Sequence, residues 1–200
     1  MTIDPLRYRE TAPTQPVDHT LLLDKLGERL AFERTAAGLY QDIRAKLRRE
    51  GEFAGGPTLT QIDEVILQKV GHFRLVADLI EGLGGDATAV TPSAELHAAL
   101  LGGILDVALD PETSLIQCLE AALLAELAGR EGWRTLLELI TDAGCAHLLE
   151  QVKRTTDVES EHLGLVRTWL SKAREREPIA RAVTLPEAAF SEIDPATLPG

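Results

Sequence analysis

Aromatic residues make up only 4% of this 200-residue chain, which holds two cysteines and one methionine. So few aromatics argue against β-sheet, because strands favour aromatic and β-branched side chains. Basic residues are also in short supply: 20 Lys and Arg stand against 32 Asp and Glu, a formal charge of -12. A surface of that sign is repelled by a nucleic-acid backbone or an anionic membrane, so neither is expected as a partner. No stretch is long and apolar enough to span a bilayer, and the N-terminus lacks the apolar core of a secretory signal. Cys118 and Cys145 are far apart and show no paired metal-ligand spacing; reduced, core-packed thiols in a cytoplasmic protein are the expectation. Gly-rich phosphate loops and Ser-His-Asp or Cys-His groupings are missing as well, so no organic cofactor is predicted.

Leu and Ala dominate what is present, and 44% hydrophobic content suffices for one substantial helical core. Proline punctuates both ends. Residues 1–17, with Pro5, Pro13 and Pro16, read as an extended arm; residues 176–200, with Pro178, Pro186, Pro195 and Pro199, read as a mobile acidic tail. Between them, residues 18–175 form one bundle. Asp18 is placed to cap a first helix running to about Arg49, and Thr58 or Thr60 opens a second that stops at Gly84-Gly85-Asp86. A connection over about 86–111 carries a short apolar helical piece, Ala94 to Leu109. Asp110-Pro111-Glu112 starts a third long helix, loosened at Gly129 and Gly132, and Asp142-Ala143-Gly144 turns it into a fourth. Short links make each pair of helices antiparallel, and the long connection runs the length of the bundle.

Each apolar seam of these helices is interrupted near its middle by an ionisable residue. The first reads Leu23, Leu26, Leu30, Glu33, Ala37, Tyr40, and the second Ile62, Val65, Lys69, His72, Val76, Leu79. The third carries Glu126 between Leu123 and Trp133, and the fourth carries Glu159 and His162 between Thr155 and Val166. Burial alone does not select such a pattern. Lone buried charges are costly, so these six groups must meet one another or a cation, and their registration permits one layer. Glu159 and His162, three apart, share one helix face; carboxylate oxygen with imidazole nitrogen suits iron, manganese or zinc. Protonated histidines balance the same layer without any metal, as a buried ion-pair network. Tyr40 and Trp169 read as core, Glu120 and Glu131 as solvent-facing, and His19, His97 and His147 as surface or packed histidines.

Several segments carry a resemblance. Leu-Leu-Asp-Lys-Leu-Gly-Glu-Arg-Leu-Ala-Phe-Glu-Arg-Thr (22–35), His-Phe (72–73), Leu-Gly-Gly-Asp (83–86), Thr-Pro-Ser-Ala (91–94), Glu-Ser-Glu-His-Leu (159–163) and Val-Arg-Thr-Trp-Leu (166–170) resemble bacterial ferritin-like domain proteins of unassigned function. The resemblance implies an all-α, ferritin-like four-helix bundle: two antiparallel hairpins joined by a long crossover containing a short helix. Ferritin-like proteins supply one Glu from each of two helices and Glu-x-x-His from each of the other two to hold two metals. Glu33, Glu126 and Glu159 with His162 match that pattern. The second helix departs from it, since His72 is present but Lys69 stands where a metal-bridging carboxylate belongs. Three carboxylates and one lysine leave a charge that one divalent ion cancels. Two expectations follow. One is a cytoplasmic metal protein with storage or redox chemistry, its ion held by Glu126, Glu159 and His162 while Glu33 pairs with Lys69 and His72 stays secondary. The other is a metal-free module for oligomerisation or partner binding, its degenerate site stabilised by salt bridges. A homodimer through Leu22, Leu39, Ile66 and Leu136 is expected in either case, and the tail's protein partner is open.

Overall fold

The computed structural model describes residues 19–176, all of it helix and short connections. The expected arm, the Asp18 cap and the tail beyond Arg176 lie outside the described residues. Five helices follow in order: α1 (His19–Glu50), α2 (Leu59–Gly82), α3 (Pro92–Leu109), α4 (Leu115–Asp142) and α5 (Ala146–Arg176). The long ones, α1, α2, α4 and α5, are the four-helix bundle.

Local chemistry fixes their ends. Thr58 and Gln61 form a reciprocal capping box at the start of α2, satisfying two otherwise orphaned amides. Gly84, at φ 77°, lets the chain turn left-handed after α2, and Gly144, at φ 67°, does the same between α4 and α5. The start of α4 differs from expectation. Ser114 caps it, paired with Gln117, and Asp110-Pro111-Glu112 belongs to the preceding turn. The reason is a competing anchor: buried Lys46 donates to the carbonyls of Asp110 and Thr113, at 2.5 and 2.8 Å, and holds those residues as a loop.

The crossover helix α3 is longer than expected, at 18 residues, or about 27 Å. Thr91 caps it and Pro92 occupies its first turn, so it begins two residues before Ala94. It is pinned at both ends to α1. The Asp24 carboxylate accepts from the Ser93 amide at 3.0 Å and hydroxyl at 2.5 Å, and Lys46 grips the far end. Between these anchors α3 lies alongside α1, parallel to it, and buries a second face of that helix through Phe32, Ala36 and Leu101.

This overturns the expected dimer face. Leu22, Leu39 and Leu136 are each about 1% exposed, inside the chain's own core, and Ile66 is half-buried against the same packing. Period counting placed Leu39 off the seam of α1 because it assumed one buried face, whereas the crossover supplies two.

The core is divided along the bundle axis. One apolar cluster joins Leu39, Ile43, Leu47, Ile62, Val65, Cys118, Leu119, Val166 and Trp169. A second joins Leu22, Leu26, Leu30, Val76, Leu79, Trp133, Leu136, Ile140 and Val152. The polar residues at mid-helix fall between the two, where the apolar packing is interrupted. Both cysteines are free, Cys118 buried and Cys145 half-buried.

Candidate metal centre

All six ionisable seam residues are buried: Glu33, Lys69 and Glu159 at 0% exposure, Glu126 and His162 at 1%, His72 at 9%. Glu159 is the hub. Its carboxylate accepts from Lys69 Nζ at 2.7 and 2.9 Å and from His72 Nδ1 at 2.9 Å; His162 Nδ1 lies 3.5 Å away. A carboxylate has no proton to give here, so His72 Nδ1 is the donor.

Lys69 does not pair with Glu33 as expected. Its ammonium spans Glu159 and Glu126, the latter at 3.2 Å. Glu33 is otherwise supplied: Trp133 Nε1 donates to its Oε1 at 2.7 Å, and His72 Nδ1 sits 3.7 Å from its Oε2, an ion-pair contact rather than a hydrogen bond. A further charge compensates it. Arg29, one turn earlier on α1 and 1% exposed, stacks its guanidinium 4.0 Å from the Phe32 ring and donates to the Gly129 carbonyl at 2.9 Å. Glu126 accepts from the Tyr40 hydroxyl at 2.7 Å and, among the described residues, has no ion-pair contact other than that with Lys69. The lysine therefore goes to the carboxylate that lacks a positive neighbour.

Arg29 and Tyr40 were missed as site residues. Tyr40 read as core packing, and its apolar neighbours are indeed core, but its hydroxyl reaches into the layer. Arg29 left a signal in the glycines of α4. A Cβ at Gly132 would fall 2.5 Å from the Arg29 guanidinium carbon, and one at Gly129 would fall 2.9 Å from Phe32. Those glycines make room for a buried arginine; they do not loosen α4, which is continuous through both.

The electrostatics follow from burial and partners. Burial lowers the Arg29 pKa, opposed by Glu33 and Glu28, but a guanidinium stays charged. Burial alone would also lower the Lys69 pKa, but Glu126, Glu159 and Glu33 outweigh it and raise it. For His72 burial likewise opposes the charged form, and the bond to Glu159 with the nearby Glu33 overrides it, to about 9. Burial would raise the Glu159 carboxyl, yet Lys69 and the two histidines hold it well below the usual range. In Glu126 burial wins over Lys69, and its pKa is raised. With His72 protonated, three carboxylates face three cations: Lys69, Arg29 and His72.

Two trios bring ligand atoms within 4.8 Å of one another: Glu33, His72 and Glu159, and Glu126, Glu159 and His162. Their fit to a cation differs. In the first, Glu33 Oε2 is buried without a hydrogen-bond partner, and a proton on His72 occupies the space between the carboxylates. In the second, His162 Nδ1 is likewise unpartnered, its Nε2 being tied to Gln68 Oε1 at 2.6 Å. That orphan nitrogen faces carboxylates whose shared cation is already the Lys69 ammonium. Each trio has the donor types that could hold a metal ion, and the lysine ammonium lies within the second. The other histidines stay out: His19 and His147 are exposed, and His97 pairs with Glu28 at 3.2 Å. Glu120 and Glu131 face solvent, as expected.

With the bundle, the crossover and the buried Glu/His layer in place, the architecture is ferritin-like. The chain is similar in structure to a ferritin-like, diiron-carboxylate protein from Bacillus anthracis str. Ames, with a TM-score of 0.55 and 17% identity, covering 80% of this chain and 99% of that one. No family model matches the chain, and no curated protein matches it. Among the described residues, no helix is long and apolar enough to cross a membrane.

Proposed function

We propose that the protein binds a single divalent transition-metal ion in its bundle, at Glu33, His72 and Glu159, with Lys69 standing in for a second. The observation that carries this is the unpartnered, buried Oε2 of Glu33, 3.7 Å from a histidine nitrogen already in contact with Glu159. Two carboxylates and one imidazole suit iron(II), manganese(II) or zinc(II), and the likeness to a diiron-carboxylate protein favours iron. An ion held there supplies Lewis acidity and, as iron or manganese, one-electron redox chemistry. Around it, Trp133 orients Glu33, Tyr40 and Lys69 orient Glu126, and Gln68 fixes the His162 ring. Glu126 and His162 become ligands only where the lysine leaves. The test is a metal titration of wild type and Lys69→Glu. An ammonium cannot donate electron pairs and a carboxylate bridges two cations, so capacity rises from one ion to two. Equal capacities would sink the lysine's role, and no ion in either would sink the proposal.

A second reading has its own observation. The Arg29 guanidinium completes the charge balance of the layer once His72 is protonated, so the layer is neutral with no ion. Under that reading the bundle is a metal-free interaction module. Elemental analysis of protein purified without chelator separates the two.

A further inference from the structure

The crossover helix α3 is apolar on two sides but buried on one. Within it only Ala94, Leu101 and Ala108, one in every seven residues, are buried, and they form the inner stripe against α1 and α4. Its larger side chains point elsewhere. Of the seven large hydrophobic side chains exposed among the described residues, three stand on α3: Leu96 at 61%, Leu100 at 66% and Leu109 at 62%. A fourth, Val90, precedes the cap of α3, and a fifth, Leu124, is next to Ala125, which shares a crevice with Leu101. Exposed apolar surface is therefore concentrated around this helix, and a helix apolar all round is ordinarily a covered one.

The exposed side has an order of its own. Leu96, Leu100, Gly103 and Val107 recur at steps of four, three and four, so they share one outward stripe, with Leu109 off it. The first three are exposed and Val107 is half-buried. Chemistry narrows what covers the stripe. The helix has no lysine or arginine, Glu95 and Asp106 are its only carboxylates, and His97 is engaged with Glu28. Helices that lie on lipid carry basic residues on their polar face, so a membrane does not fit. The stripe does fit itself. Its two leucines lie in the N-terminal half, and Gly103, where a Cβ would meet nothing within 4 Å, lies in the C-terminal half. A twofold axis level with residues 101 and 102 sets two such helices antiparallel. Leu100 of each copy then falls over Gly103 of the other, and Leu96 falls level with Val107. The extent is sufficient too. The outward half of a helix about 27 Å long and 10–12 Å across offers about 450 Å², so two copies cover about 900 Å² before Val90 and Leu124 add theirs. That reaches the threshold of a specific interface, about 1,000 Å², and stays below the roughly 1,600 Å² of a typical one.

We infer that the outward stripe of α3 is a self-association surface whose partner is a second copy of this chain, paired antiparallel and reversibly. The homodimer uses the crossover, not the leucines that the chain's own core takes up. No residue of the stripe belongs to the ion layer, so this goes beyond the ion reading and stands without it.

Sedimentation velocity of the full-length protein, over about 1 μM to 1 mM, tests it. An interface this small gives a dimer that dissociates within that range. Leu100→Ala removes two contacts per dimer and should weaken association at least about tenfold. Leu100→Glu should abolish it, because an unpaired charge is then buried. Gly103→Leu is the sharper variant. It adds apolar surface without a clash inside the chain, so indiscriminate stickiness would tighten association, whereas the antiparallel fit requires a loss of at least about tenfold through overpacking. Leu67→Glu, at an exposed leucine of α2, should change nothing, and about 0.5 M NaCl should not weaken a contact without ion pairs. Circular dichroism checks that each variant is folded. A monomer throughout the range would overturn the inference and leave a different protein, or the chain's own ends, to cover α3. A dimer that tolerates Leu100→Glu would place the contact on another face. One that Gly103→Leu tightens, that Leu67→Glu also disrupts or that salt dissolves would lack the fit, and each result overturns the inference.

Discussion

The two halves of the buried layer share Glu159 but neutralise it by different means. On the Glu126 side the cation is the Lys69 ammonium, covalently tethered and hydrogen-bonded to both carboxylates. On the Glu33 side it is a proton on His72, held 2.9 Å from Glu159 and 3.7 Å from Glu33. A tethered ammonium can leave only by moving a side chain across a packed bundle. A proton leaves whenever something better arrives, as it does when histidine binds a metal. The exposures agree with this division: His72 is 9% exposed and Glu33 borders a cavity, whereas His162, at 1%, is sealed behind Gln68. Two superficially equivalent half-sites thus differ in whether their cation can be exchanged.

The harshest way to break the comparison is to remove the tethered cation. Lys69→Met leaves Glu126 and Glu159 facing each other with no ammonium between them. Stripping one partner from a buried ion pair costs about 3–5 kcal/mol, and urea denaturation of the metal-free protein should show a loss of that size. A change well below this would mean that Arg29 and the histidines carry the balance without the lysine. A smaller effect, and a sharper one, comes from the histidines. His72→Ala should weaken cobalt(II) binding by about 100-fold or more, beyond the 10–100-fold that outer partners cost, while His162→Ala retains most of the affinity. The reverse ranking in an absorbance titration would move the ion to the lysine's side.

Much of this was legible in the sequence because mid-helix charges on an apolar seam have few physical explanations. Glu33, Lys69, His72, Glu126, Glu159 and His162 lie together as their registers require. The first hairpin, the second and the crossover also follow from turn chemistry at Gly51 and Gly55, at Gly144 and at Gly84 respectively. The pairing inside the layer was not legible. A period places a residue on a face but does not say which of two carboxylates a lysine reaches, and that choice depended on Arg29. Arg29 itself hid among the polar residues of α1, since nothing local marks an arginine as buried. Its signature sat on another helix, in Gly129 and Gly132. The dimer face failed for a related reason. Whether Leu39 meets a partner chain or the chain's own crossover is a tertiary fact, decided here by the Asp24 and Lys46 anchors of α3, while Leu22 packs against α2 and α4 of its own bundle.

The Asp24 anchor offers the mildest test, because it sets a carboxylate satisfied by neutral donors beside those satisfied by buried cations. Burial tends to raise the Asp24 pKa, but the hydroxyl and amide of Ser93 outweigh it and hold the carboxyl below its usual value. A carboxyl whose folded pKa lies below its unfolded value stabilises the fold above the unfolded value, near 3.8. That contribution fades as pH falls through the lower, folded value. Asp24→Asn keeps the shape and one acceptor but removes the charge, so at pH 7 it should cost about 1 kcal/mol. The gap between mutant and wild type should close as the pH is lowered below the carboxylate range, in paired thermal melts. A pH-independent gap for Asp24→Asn would show that Ser93 recognises the shape of the side chain rather than its charge, and the crossover would then be anchored by geometry alone.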